Sequence, residues 1–140
     1  MMVISMKKLL FVMNPLAGTK KAPKYLSEIV AVFNRAGFDV TVHITAQQGD
    51  CTTVVRRLAE AMDLVVCCGG DGTFNETVTG ILQSGCSVPV GYIPAGSTND
   101  FARSLQLESE FVKAAERIAE GSAYRYDIGQ FGNQIGRAHV

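Results

Sequence analysis

Apolar residues along this chain fall into two alternating patterns. Short, nearly continuous runs mark strands, and residues spaced three and four apart mark helices. Met6 to Met13 reads as a first strand, ending at Asn14-Pro15. Leu26, Ile29, Val30 and Phe33 then mark one face of a helix that Gly37 terminates. Val40, Val42 and Ile44 alternate with Thr41, His43 and Thr45, the pattern of a half-exposed strand near a sheet edge. A second helix from about Cys51 carries Val54, Val55, Leu58, Ala61 and Met62 on one side. Asp63 to Cys68 is a short apolar strand, followed by a helix with Phe74, Val78, Ile81 and Leu82 on its inner face. Val88 to Ile93 is a further strand. Phe111, Ala115, Ile118 and Ala119 mark another helix, and Tyr124 to Ile128 a last strand.

Strands that alternate with helices predict an α/β fold: a three-layer α/β/α arrangement with a mainly parallel sheet covered on both faces. Ligands in such folds bind beyond the carboxyl ends of the strands. Asn14 to Lys20, Gly69 to Thr73 and Pro94 to Asn99 occupy that position, and all three combine Gly, Pro, Asn, Ser or Thr. Those residues supply exposed backbone N–H groups and small hydroxyls, so one site built from three loops is the expectation.

Composition narrows the partners. The 140 residues suffice for one domain with its own core, and 47% hydrophobic with 19% charged residues is usual for a globular protein. Thirteen basic and 13 acidic side chains cancel, so bulk charge favours neither nucleic acid nor an anionic membrane surface. No apolar run has the length of a membrane span. The start, with Lys7 and Lys8 before a short apolar run and no small-residue cleavage site after it, reads as a strand and not as a signal peptide. Cys51, Cys67, Cys68 and Cys86 lack metal-binding spacing and read as buried free thiols, with Cys67 and Cys68 on opposite faces of their strand. No metal ligands are assigned.

The sharpest chemistry lies in Gly69-Gly70-Asp71-Gly72-Thr73-Phe74-Asn75-Glu76. Its three glycines allow close backbone approach and positive φ, and the helix after it offers unpaired N–H groups and the positive end of its dipole to phosphate oxygens. The spacing fits neither a Walker loop nor a dinucleotide fingerprint. Taken locally, the less favoured alternative is that the segment is only a tight strand-to-helix connection.

Three motifs together resemble a family. Asn14-Pro15-Leu16-Ala17-Gly18, the glycine segment, and Pro94-Ala95-Gly96-Ser97-Thr98-Asn99-Asp100-Phe101-Ala102-Arg103 are similar, in order and spacing, to the diacylglycerol kinase catalytic domain, which includes bacterial lipid kinases and sphingosine kinases. The resemblance runs to about Phe131 and implies an NAD kinase/phosphofructokinase-like fold. It divides the chain into a nucleotide-binding domain over 1–131 and an irregular or appended tail over 132–140. It also implies ATP and Mg²⁺ as cofactors and a lipid hydroxyl as acceptor. By resemblance the nucleotide contacts are Asn14, Pro15, Gly18, Thr45, Gly69, Gly70, Asp71, Gly72, Thr73, Asn75, Ser97, Asn99 and Asp100. Ser97 stands where the family usually has threonine and keeps the hydroxyl. Ala95 replaces the commoner leucine. Asp71 would steer the loop or reach Mg²⁺ through water, and for Asp100 both a ligand role and an N-cap role stay open.

No catalytic residue is assigned. His43, on an exposed strand face, and His139, in the tail, are poor general bases. The family places the acceptor-activating carboxylate and the lipid pocket in a second, β-rich domain, which is absent from this sequence. The expectation is therefore the ATP-binding half of a cytoplasmic lipid kinase, inactive alone, whose full-length parent touches the membrane peripherally. An NAD kinase-like enzyme is one alternative, disfavoured by Asn99 to Arg103. A non-catalytic nucleotide-binding or dimerisation module, pairing as a homodimer through a sheet edge, is another. Lys20, Lys21 and Lys24, Arg56-Arg57 and Glu108 with Glu110 read as solvated surface, although a basic residue after the first loop could meet ATP.

Overall fold

The computed structural model describes residues 6–96, 110–121 and 125–127. Its elements follow the expected alternation: β1 (Lys7–Met13), a 3-10 turn (Ala22–Tyr25) leading into α1 (Leu26–Arg35), β2 (Phe38–Ile44), and α2 (Asp50–Leu58) with a 3-10 turn (Ala59–Ala61). β3 (Leu64–Gly69), α3 (Asp71–Ser84), β4 (Pro89–Pro94), α4 (Phe111–Glu120) and β5 (Arg125–Asp127) complete it. The five strands form one sheet in the order β2-β1-β3-β4-β5. β2, β1, β3 and β4 pair in parallel, and β5 runs antiparallel against β4.

Period-two alternation in the central strands divides the core into two layers. Leu9, Phe11, Met13, Val66, Cys68 and Ile93 pack beneath α1 and α4, with Ile29, Phe33, Ala115 and Ile118 opposite them. Leu10, Val12, Val65, Cys67, Val90 and Tyr92 pack beneath α2 and α3, with Val54, Val55, Phe74 and Ile81 opposite. Cys67 and Cys68 therefore do face opposite layers, and the architecture is the expected three-layer α/β/α. All four cysteines are free; Cys86 is only partly buried, unlike the other three.

Several local expectations are corrected. Leu82 is 47% exposed, because Thr77 and Gly80 complete the inner face of α3 in its place. Ala61 is exposed at the end of its turn, and Ala59 is the buried residue there. On α1, Val32 is buried and Val30 only half-buried. β2 does lie at the sheet edge, and its apolar side is uncovered toward its end, leaving Val42 and Ile44 exposed. His43 is half-exposed on this strand, but its Nε2 is enclosed with no hydrogen-bond partner among the described residues, 4.0 Å from Asp50 Oδ2.

Candidate functional site

Backbone hydrogen bonds continue the sheet beyond its strand ends and bring the loops together. Thr45 N–H donates to the Met13 carbonyl at 2.9 Å, Asn14 N–H to Cys68 at 2.9 Å, and Ala95 N–H to Gly69 at 2.7 Å. The Asn14 side chain folds its own loop, accepting the Leu16 amide on Oδ1 at 3.0 Å. Gly18 lies at φ +55°, a conformation that favours glycine.

The glycine segment is shorter as a loop than its sequence suggests. Gly69 ends β3, Gly70 is the N-cap residue, and α3 begins at Asp71. None of Gly69, Gly70 and Gly72 has positive φ, which corrects that part of the expectation. Their use is close approach. A Cβ on Gly69 would collide with the Thr73 side chain, and one on Gly70 would sit 3.4 Å from Gly96 Cα. A Cβ on Gly72 would meet no protein atom within 4 Å.

The first α3 hydrogen bond to close runs from Phe74 N–H to the Gly70 carbonyl at 3.2 Å, and the N-cap residue, a glycine, offers no side-chain cap. The amides of Asp71, Gly72 and Thr73 thus precede the helical ladder, at the positive end of its dipole. They open on a cavity of about 370 Å³ lined by Asn14, Ala17, Gly18, Gly70, Asp71, Gly72, Thr73 and Gly96. A second cavity of about 360 Å³ adjoins it and shares Asn14, Gly72 and Thr73. Thr45, Ala46, Gln47, Gln48, Cys51 and Glu76 form its far wall, with Leu16 at its lip.

That far wall is what sequence reasoning missed apart from Thr45. The 45–50 loop is tied down by two carboxylates: Asp50 Oδ2 accepts the Ala46 amide at 2.7 Å, and Glu76 Oε1 accepts the Gly49 amide at 3.0 Å. Cys51 Sγ lies 3.1 Å from Thr77 Oγ1, and burial pushes its thiol up to about 11, the Thr77 contact opposing the rise. The signal was present in the Gly-Asp pair at 49–50 and the Asn-Glu pair at 75–76, but nothing local says that these two segments meet.

Seven expected contacts, Asn14, Gly18, Thr45, Gly70, Asp71, Gly72 and Thr73, line one cavity or the other. Pro15, Gly69 and Asn75 line neither, and Asn75 is exposed. Ser97, Asn99 and Asp100 lie outside the described residues. Among the described lining residues the charged groups are Asp71 and Glu76, and none is basic. An anion entering here would meet both backbone amides and the carboxylates of Asp71 and Glu76. Among the described residues no cluster of three or more His, Cys, Asp or Glu could hold a metal ion.

Comparison with known proteins gives one family. Residues 8–131 match the diacylglycerol kinase catalytic domain. The chain is 37% identical over 131 residues to a diacylglycerol kinase of Bacillus subtilis (strain 168), an alignment covering 92% of this chain and 43% of that protein. It is 34% identical over 129 residues to one from Staphylococcus carnosus (strain TM300), covering 91% and 42%. The crystal structure of a diacylglycerol kinase from Bacillus anthracis str. Sterne superposes with a TM-score of 0.73 at 33% identity, over 82% of this chain and 40% of that one. The chain thus spans about two-fifths of the length of the relatives it matches.

Proposed function

Because the chain belongs to the diacylglycerol kinase catalytic domain family, we propose that it is the ATP-binding half of a lipid kinase. The reaction is transfer of the γ-phosphoryl group of ATP to a lipid hydroxyl. The observation that carries this reading is the pair of adjoining cavities with the first-turn amides of α3 at their junction. The cavity at Asp71 takes the phosphates, and the one walled by Thr45, Gln47, Gln48 and Glu76 takes the nucleoside. Phosphoryl transfer depends on positioning and on neutralising charge spread over phosphate oxygens. The amides of Asp71, Gly72 and Thr73 are fixed donors for that charge, with no reorganisation required. Mg²⁺ would be held by Asp71 and the phosphates, and when bound it supplies the positive charge that the described lining residues lack.

Two groups among the described lining residues are poorly suited to activate the acceptor. Glu76 is engaged with Gly49, and the Cys51 thiol, pushed up to about 11, stays protonated at neutral pH. We assign the lipid pocket and the general base to the remainder of a full-length kinase, since the matched relatives are more than twice as long as the aligned segment. The parent acts in the cytoplasm and meets its lipid at the membrane surface. No helix among the described residues is long and apolar enough to cross a membrane.

Calorimetric titration of the chain with MgATP tests the reading. Saturable binding is expected, weakened about tenfold by Asp71→Ala through loss of a charged ligand. Gly72→Val should abolish it, because the new side chain enters the cavities and not the protein. Equal affinity in the parent chain and Gly72→Val would remove the nucleotide from these cavities.

A further inference from the structure

Tyr92 of β4 is fully buried and lines neither cavity, yet its hydroxyl reaches the site. The ring stacks on Phe74 of α3, with centroids 4.9 Å apart and planes at 24°. Phe74 and Asp71 are three residues apart, so they lie on one face of α3. The Tyr92 ring, stacked on Phe74, therefore ends beneath Asp71, and its hydroxyl donates to Asp71 Oδ1 at 3.3 Å.

An aspartate in the first turn of a helix ordinarily turns its carboxylate onto the free amides of its own N-terminus, where dipole and donors attract it. In α3 the N-cap residue is Gly70, which has no side chain to offer, and among the described residues the Asp71 carboxylate is bonded to none of those amides. The carboxylate is instead bonded from below by Tyr92, and the same residue lines the phosphate cavity. The phenol ring is fully buried between the sheet and α3, and its hydroxyl points at the Asp71 carboxylate. The stacked ring leaves it little freedom to swing away.

We infer that Tyr92 is a positioning residue: its hydroxyl holds Asp71 off the amides of α3, so that the carboxylate serves the cation and the amides serve the phosphates. The role rests on the nucleotide reading above and deepens it. Tyr92 acts on the site through Asp71 and lines neither cavity.

The test is a double-mutant cycle on MgATP affinity by calorimetry, with melting temperatures recorded for every variant. Tyr92→Phe keeps the stacked ring and deletes the donor. It should weaken MgATP about tenfold, the usual share of a hydrogen bond to a charged group. In an Asp71→Ala background, where no carboxylate is left to hold, Tyr92→Phe should change affinity by less than about twofold. A merely structural tyrosine would shift both backgrounds alike, and that result, or no effect in either, overturns the inference. If Tyr92→Phe fails to fold, 3-fluorotyrosine at position 92 keeps the shape and changes only the donor, and unchanged affinity then overturns the inference. Absence of MgATP binding by the folded parent chain is a different failure: it removes the nucleotide reading, and the role of Tyr92 with it.

Discussion

Single side chains settle how the thiols behave. Cys51, Cys67 and Cys68 are buried, while Cys86 is partly exposed beside Ser84. At pH 8 the native chain should show one fast-reacting thiol with an aromatic disulfide reagent and the remaining three only after unfolding; Cys86→Ala should remove the fast phase. Burial pushes Cys51 to about 11 and Cys68 to about 12 from the ordinary value of 9.0, so both keep their protons in the fold after the unfolded chain has lost them. The folded state then binds more protons than the unfolded state, and stability falls as pH rises. This contribution is complete below pH 9 and is lost on climbing through about 11 for Cys51 and about 12 for Cys68. Urea unfolding at stepped pH should show that decline, and Cys51→Ala should flatten its lower part. An unchanged slope in Cys51→Ala would contradict the burial of this thiol.

At the level of elements, two glycines govern how closely helices approach. A Cβ on Gly80 of α3 would come within 2.8 Å of the Thr52 carbonyl and of Val55 Cβ, both on α2. Helix propensity alone would reward Gly80→Ala by about 1 kcal/mol. The clash with backbone wins, because overpacking a close contact costs about 1–3 kcal/mol and the carbonyl cannot rotate away. Gly80→Ala is therefore expected to lower the urea midpoint, and a raised midpoint would mean that α2 and α3 separate freely. Gly91 plays the same part under α4, where a Cβ would sit 2.8 Å from Ile118 Cγ2. The α2–α3 contact matters for the site as well, since it brings the Gly49 amide onto Glu76 and the Thr52 hydroxyl onto the Glu76 carbonyl.

For the molecule as a whole, the site stands on loops after four parallel strands, and a bound nucleotide would bridge the α2–α3 side of the sheet to the loop after β1. A ligand that binds only the folded state stabilises it by mass action. MgATP at about a hundred times its dissociation constant should add about 2.7 kcal/mol and raise the melting temperature, while Gly72→Val should show no rise. The same preparation is expected to leave diacylglycerol unphosphorylated, measured by transfer of labelled phosphate, and turnover at a rate typical of kinases would overturn the division of labour proposed here.

What the sequence by itself determined is the order of elements, the mainly parallel sheet and the glycine segment at a strand's carboxyl end. Hydrophobic period is a local property and survives folding: the adjacent Cys67 and Cys68 had to face opposite layers once their segment was extended. The motif residues marked one edge of the sheet for the same reason, since strand ends are visible as breaks in the apolar runs. Phe74, Val78 and Ile81 are buried as periodicity expects, and only tertiary structure decided the margin of that face, because Gly80 and Thr77 meet α2 where periodicity had put Leu82. It alone brought the 45–50 loop onto Glu76, a contact 27 residues apart, and Tyr92 beneath Asp71, 21 residues apart. Contacts of that separation depend on how neighbouring strands and helices cross, and no window of sequence contains that geometry.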